Sequence, residues 1–430
     1  MTETEARNLL ERALQHSQAD HLELLLQSTD EASTRFANNQ ITQNVAKSNT
    51  TLTVRSAFDN RVGVVKVNHF AGERLADAVR RSEEIARVAA PDTEYVPPPD
   101  PAEYPLVEEW DDAVAHAEPA HRASMVHSAI QEAEAAGVNS AGSCSTRASF
   151  IAVANSKGLF AAHRATMARF AVTAMTDHAS GWASAAHWKL ACVDAPSAAD
   201  RAIAKALLAG TPGPVEAEPS TVILEPAAVA EILAYLLWSL DAKAADEGRS
   251  AFSGRLGQKV AAESVTLASD ATHPECPTTP FFEDGSPVLP TQWIHKGVLT
   301  NLATSRFWAQ KTGRPFTGRP VNLIFPGEGT SLEEMIASTK RGLLVTRFWY
   351  IRSVDPMRLL LTGMTRDGLF RIENGEVVGG ARNLRFNESP IAMLERTVQI
   401  GTSTLQADMG MAFVPPIKVE DFNFTSATRF

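Results

Sequence analysis

The residues best equipped for chemistry are scattered along the chain. His273 and Cys276, in the run THPECP, have the spacing of two ligands on one metal. A hydrolytic zinc needs about three protein donors and an open position, yet no second pair lies nearby and the flanking prolines read as a loop. His116, His121 and His127 fall on or near one expected helix without the i,i+4 repeat that sets two imidazoles on one face. His178 and His187 flank a turn at Gly181 and Trp182. Cys144, in GSCSTR, is a nucleophile only as a thiolate, and no neighbour in the sequence supplies a base. Glu283 and Asp284, ahead of Gly285, form a candidate carboxylate pair, in which one neighbour lifts the other toward the general acid–base range; the same residues also make a turn. Arg249, Arg255, Arg314 and Arg319, interleaved with Ser253 and Thr317, could hold a peptide backbone or terminal carboxylate through forked hydrogen bonds, or serve structural ion pairs. Arg255 and Arg319, with Ser253 and Thr317, are the candidates for positioning a peptide.

The elements that must position these groups follow from periodicity. Leu9, Leu10, Ala13 and Leu14 have helical spacing. β-favouring runs follow at residues 21–27, 34–38, 40–45 and 50–56, with Asn38-Asn39 and residues 60–63 as turns. Residues 72–90 return to a helical period and stop before Pro91. Residues 91–105, which contain PPPDPAEYP, cannot form a helix and read as a linker or surface arm. A helix over 120–137, strands over 143–188 with a turn at 155–158, and a helix over 196–208 complete the first half. Thr211-Pro212-Gly213-Pro214 marks the boundary. The second half opens with a strand at 220–224 and a helix from Pro226 to about Asp246. It continues with strands at 343–351, 359–364, 369–373 and 376–378, an Asn374-Gly375 hairpin turn, and a helix over 387–400. Between residues 248 and 322, glycines at 254, 257, 285, 297, 313 and 318 punctuate short apolar runs, a pattern of strands and tight turns. The expected fold class is α+β in two domains: an N-terminal layered domain (1–212, with the proline-rich arm) and a mostly β C-terminal domain (213–430) with a few helices.

Composition bounds the function. A chain of 430 residues exceeds one ordinary core, 44% hydrophobic and 21% charged residues are typical of a globular protein, and a net charge of −10 argues against a general nucleic-acid binder. The cysteines are only Cys144, Cys192 and Cys276, far apart, which suits a reducing compartment. The amino terminus has no signal-like apolar core, and no segment has about 18 uninterrupted apolar residues. A cytoplasmic location with no membrane contact is expected.

The run SAFSGRLGQKVA, the turn at EDGSP, and then IHKGVLTNLATSRFWA and TGRP resemble the C-terminal domain of the TldD/PmbA (TldE) family of metallopeptidases. The region RFANNQITQNVAKSNTTLTVRSAFDNRVGVVKVN, the helical LADAVRRSEEIARVA and the stretch IAVANSKGLFAAHRATMARFAVTAMT fit the same family, so the resemblance covers nearly the whole chain. In catalytic members the helix before the SGR segment carries a His-Glu-x-x-x-His metal motif, and a cysteine near the carboxyl terminus completes the site. Here the corresponding helix is AEILAYLLWSLDAKAADEG, and the ligand positions fall near Leu233, Ala234 and Trp238. None can bind a metal in that role, the helix contains no histidine, and no cysteine follows Cys276.

The resemblance is therefore to the PmbA/TldE half, which lacks the ligands and pairs with the catalytic half. It implies a non-metal-binding subunit of a heterodimeric peptidase acting on unfolded peptides. This chain would contribute chamber wall and peptide positioning, with no cofactor of its own and zinc in a paralogous TldD-like partner. Two alternatives remain at this stage. One is a self-contained metal-independent hydrolase using Glu283, Asp284 or Cys144; the other is a peptide-binding homodimer. The strands and tryptophans of the second half, Trp293 and Trp308 in particular, are expected at the partner interface.

Overall fold

A computed structural model describes residues 1–428. Helix α1 (Glu3–Gln15) starts in a reciprocal Thr2–Glu5 capping box and buries Ala6, Leu9, Leu10 and Ala13. The four short strands expected next are two long ones, β1 (His21–Ala37) and β2 (Gln40–Phe58). They are joined at Asn38 and Asn39, with φ of 51° and 56° as a two-residue hairpin requires. Next come β3 (Arg61–Val67), α2 (Arg74–Val88), a single turn α3 (Asp112–Ala115), α4 (Pro119–Ala135), β4 (Asn139–Asn155), β5 (Phe160–Met175), β6 (Ser180–His187) and α5 (Ala195–Ala209). The six strands form one antiparallel sheet in the order β3-β2-β1-β4-β5-β6. Leu22, Leu24 and Leu26 of β1 and Leu52 and Val54 of β2 join one core with α1 and α2. The odd-numbered side chains of those stretches therefore point to the opposite face.

The proline-rich arm is extended and pinned at both sides. Asn155 Nδ2 donates to Pro99 O at 2.9 Å on the first sheet. Arg306 of the second half donates to Pro97 O, and Tyr104 Oη donates to Gly285 O at 2.6 Å.

The second half opens with β7 (Pro219–Leu224), α6 (Pro226–Trp238) and α7 (Ala242–Asp246). The single helix expected to about Asp246 is broken, because the Asp241 carboxylate caps α7 by accepting from Ala244 N at 2.6 Å. Short strands β8 (Leu267–Ser269), β9 (Thr291–His295), β10 (Val298–Leu299) and β11 (Leu323–Ile324) run between tight turns, with α8 (Arg306–Thr312) and α9 (Leu332–Ala337) interspersed. All six glycines singled out between residues 248 and 322 have positive φ. The long hairpin β12 (Arg341–Asp355) and β13 (Leu360–Glu373) leads to β14 (Glu376–Gly380) and β15 (Leu384–Glu388). The helix expected over 387–400 is instead the end of β15, a short α10 (Pro390–Glu395) and β16 (Thr397–Ile400), and β17 (Thr404–Gln406), β18 (Ala412–Val414) and β19 (Ile417–Ala427) follow. One sheet runs β10-β9-β8-β11-β18-β17. In the other, β12 pairs with both β7 and β13, so the path β12-β7-β19-β15-β13 closes on itself.

Helix α6 runs through the larger core of this half; its Ala228, Val229, Ile232, Leu233 and Leu236 are fully buried. Trp293 and Trp308 belong to that core, at 1% and 6% exposure. Trp293 Nε1 donates to Ser269 Oγ at 2.8 Å and Trp308 Nε1 to Asp246 Oδ2 at 2.7 Å. They are not interface residues of an exposed kind; the exposed tryptophans are Trp238 at 63% and Trp349 at 40%. Among the described residues no helix is long and apolar enough to cross a membrane.

Candidate functional site

Two adjoining cavities meet at Arg319. The first, about 430 Å³, is walled by Ala230, Ala234, Leu237 and Trp238 of α6, by residues 319–323, and by the segment from Met409 to Ala412. Small side chains at Ala230 and Ala234 leave the space, and Trp238 stands at its rim beside Tyr235, ring centroids 5.0 Å apart. Of the three positions near which the resemblance sets the metal ligands, Ala234 and Trp238 face this cavity. Leu233 points into the core at 0% exposure. The polar groups on the lining are Asp241, Arg319 and Asn322; two of these cannot donate an electron pair to a metal as carboxylate, thiolate or imidazole would. Among the described residues no cluster of three or more His, Cys, Asp or Glu side chains could hold a metal ion. The residues at this place do not fit a zinc.

The second cavity, about 600 Å³, lies between the first sheet and the second half. It shares Asp241, Ala303 and Arg319 with the first, and adds Glu23, Thr53, Arg55 and Glu94 from one side and Phe282, Glu283, Asp284, Arg306 and Phe316 from the other. Arg319 forks onto Glu283, Nη1 to Oε2 at 3.0 Å and Nη2 to Oε1 at 2.7 Å. Burial pushes the Glu283 carboxyl up, but the Arg319 hydrogen bonds and charge outweigh it and leave the group below its usual range. Asp284 accepts from Ser286 N at 2.8 Å and Ser286 Oγ at 2.9 Å, and pairs with Arg306 at 3.3 Å. Each of the two carboxylates is thus held by its own arginine. Gly318, with φ of +65°, lies against the Phe282 ring.

The other candidates from the sequence lie elsewhere or hold turns. Arg255 is outside both cavities and reaches Lys259 O and Glu395, each at 3.4 Å. Ser253 Oγ donates to Ser250 O at 2.7 Å. Thr317 Oγ1 donates to Leu302 O at 2.8 Å and accepts from Thr304 N at 2.9 Å, which ties the loop behind Arg319. Cys144 is 1% exposed, and burial pushes its thiol up to about 11. Arg314 pairs with Asp246 and Arg249 with Glu247.

Sequence reasoning passed over Glu231. It sits on α6 beside Ala230 at 5% exposure, accepts from Phe348 N at 2.6 Å and pairs with Arg347 at 3.0 Å. Burial lifts its carboxyl to about 7 despite Arg347 and the Phe348 N–H, which pull it down. The Arg347 guanidinium in turn lies 4.3 Å from the Trp182 ring of β6. Close by, Arg169 of β5 pairs with Asp408, the neighbour of cavity-lining Met409. A lone glutamate inside the apolar run AEILAYLLW was the available signal.

Comparisons with known proteins match this arrangement along the chain. Family models described as PmbA/TldA metallopeptidase domain 1, central domain and C-terminal domain match residues 22–86, 98–209 and 217–426. The first two share the single six-stranded sheet, since β4 pairs directly with β1. A protein named Metalloprotease from Methanothermobacter thermautotrophicus is 24% identical over 174 residues, 36% of this chain and 37% of that protein. The chain thus spans little more than a third of that relative. Among solved structures, TldE from Thermococcus kodakarensis superposes with a TM-score of 0.89 at 21% identity, covering 98% of this chain and all of that one. A protein from Thermotoga maritima, described as a candidate modulator of a DNA gyrase, gives 0.87 at 16% identity over 98% of this chain and all of that one. At these identities the structural likeness establishes the fold.

Proposed function

Since the chain belongs to the PmbA/TldD metallopeptidase family, we propose that it is a non-metal-binding subunit that positions unfolded peptides for a paralogous catalytic partner carrying the zinc. The observation that carries this reading is the face α6 turns to the first cavity: Ala230, Ala234, Leu237 and Trp238 stand where a hydrolytic site would need donors. What remains is a wall able to hold a chain, with an apolar compartment, a charged one, and Arg319 between them. An extended peptide held through its backbone is bound with little side-chain selectivity, and Arg319, which gives Glu283 one proton from each of Nη1 and Nη2, keeps further N–H donors for a peptide carbonyl at the junction. A cytoplasmic setting and a heterodimer belong to the same proposal. The metal-independent hydrolase finds less support, because Glu283 and Asp284 are each occupied by an arginine and the Cys144 thiol is buried.

The test is co-expression with a paralogue that bears His-Glu-x-x-x-His. The pair should co-purify, cleave a casein-derived peptide, and lose activity to a chelator, while this chain alone cleaves nothing. Arg319→Ala should raise the KM of the complex roughly 10-fold, as expected for one lost charge-assisted hydrogen bond, without changing assembly or metal content. Peptide cleavage by the purified single chain, undiminished by chelator, would overturn the reading.

A further inference from the structure

The outer half of the β1–β2 hairpin is open along its edge. β3 pairs with β2 only from Leu52 to Phe58, so from Gln43 to Thr51 the free side of β2 has no strand beside it among the described residues. This run contains no proline and no carboxylate, and Lys47 is its single charge. Natural sheets usually guard such an edge with charges, prolines or bulges. The one bulge here lies at the tip, where Arg35 pairs with Gln43 but Phe36 with Ile41, leaving the stretch from Gln43 onward straight.

The side chains of this stretch continue the floor of the charged cavity. Arg55 and Thr53, which line that cavity, alternate along β2 with Thr51, Asn49, Lys47, Val45 and Gln43 on the same face. Across the sheet the register places Glu23 beside Arg55, Glu31 beside Lys47 and Arg35 beside Gln43, and β4 adds Arg147 next to Glu31. Arg35, Lys47 and Arg147 are all exposed. They share one carboxylate on that face of the outer ribbon, Glu31, whose ion pair is with Lys47 at 3.1 Å. A chain with a net charge of −10 thus presents a locally basic strip that leads into the groove.

We propose that this strip is an entry site for an acidic, extended peptide segment, which adds as a strand to the β2 edge and turns its carboxylates toward Lys47 on β2 and Arg35 on β1. Strand addition supplies affinity through main-chain hydrogen bonds, and the free edge of about 30 Å takes roughly nine residues. The site lies outside both cavities, so an acidic stretch would dock here while the remainder of the substrate reaches past Arg55 to Arg319. The inference rests on the peptide-positioning reading and adds the substrate chemistry that it leaves open.

The experiment measures binding by the isolated full chain, with no catalysis involved. The probe is a fluorescein-labelled peptide of alternating Thr and Glu, followed by fluorescence anisotropy. Binding should weaken at least 10-fold when consecutive backbone amides of the probe are N-methylated, so that neither of its edges can pair, when Lys replaces Glu in it, or in the double variant Arg35→Glu/Lys47→Glu. Raising salt should weaken binding to the wild type and have little effect on the double variant. Equal binding of the N-methylated or the lysine probe, or no loss in the double variant, would overturn the proposal. So would sedimentation showing that the edge is occupied by a second copy which the glutamate probe does not displace. A complex that cleaves peptides while the isolated chain ignores the acidic probe would sink this inference alone and leave the subunit assignment standing.

Discussion

Replacing Glu231 by glutamine should change how the protein's stability depends on pH. The carboxyl is 5% exposed and its pKa in the folded protein is lifted from 4.5 to about 7, burial being the main cause and Asp367 adding to it. Between those two values the folded protein binds a proton that the unfolded chain has released. The stability contributed by this proton is complete below about pH 4.5 and is lost as pH rises through about 7. The span corresponds to about 3 kcal/mol. Glutamine does not titrate and can still accept from Phe348 N through its carbonyl oxygen, so the variant serves as the reference. Melting temperatures of both proteins should be recorded from pH 4.5 to 8. The wild type should fall relative to Glu231→Gln by roughly 3–4 °C across that range, taking about 1 °C per kcal/mol for a chain of 430 residues. Parallel curves would refute the assignment of a lifted carboxyl, and a wild type that gains on the variant with rising pH would reverse its sign.

Gly318→Ala should destabilise the second half by about 1–3 kcal/mol. The added Cβ would lie 2.1 Å from Phe282 Cζ at a backbone φ of +65°, and the urea midpoint should drop at constant slope; an unchanged midpoint would mean the loop yields freely. Thiol chemistry should separate the cysteines. Cys192 is exposed, whereas burial pushes Cys144 up to about 11 and Cys276 up to about 12. A disulfide reagent at pH 8 should therefore titrate one thiol rapidly in the native protein and all three after denaturation, and a second fast thiol would contradict the packing around Cys144 or Cys276.

Much of the architecture was legible because local signals agreed with tertiary ones. The helices at Glu3–Gln15, Pro119–Ala135 and Ala195–Ala209 begin at caps or prolines and carry one apolar face. The long strands β1 and β2 are legible in the sequence only as fragments, because residues 28–33 and 46–49 are polar but for Ala32 and Ala46. The structure explains why: one face of that outer ribbon is covered by nothing that would demand apolar alternation. The segment from Asn387 to Ile400 departs from its helical pattern for another reason. Its Pro390 does start a helix, but β16 is made by pairing with β19, whose residues come later in the chain. The site was legible in parts. Glu283 and Arg319 were each visible as candidates, but their pairing joins residues 36 positions apart, and nothing local separates Arg319 from Arg255. Glu231 could have been noticed as the only charge in an otherwise apolar helix.

The polar layer around Glu231 also bears on what the first sheet does for the cavity. Asp408 is held by Arg169 of β5, and Ser184 of β6 donates to it at 3.4 Å. Trp182 of β6 supports Arg347, which in turn holds Glu231. One wall of the apolar cavity, Met409 to Ala412, is thereby tied to the N-terminal half, and the α6 wall is tied to it through Arg347. Buried ion pairs add little net stability over apolar packing, yet losing one member leaves an uncompensated charge. Such contacts therefore fix geometry more than they add stability, and they set the spacing between the two walls. The first sheet acts on this groove at two places, as a face of the charged compartment and as the anchor of the loop that closes the apolar one.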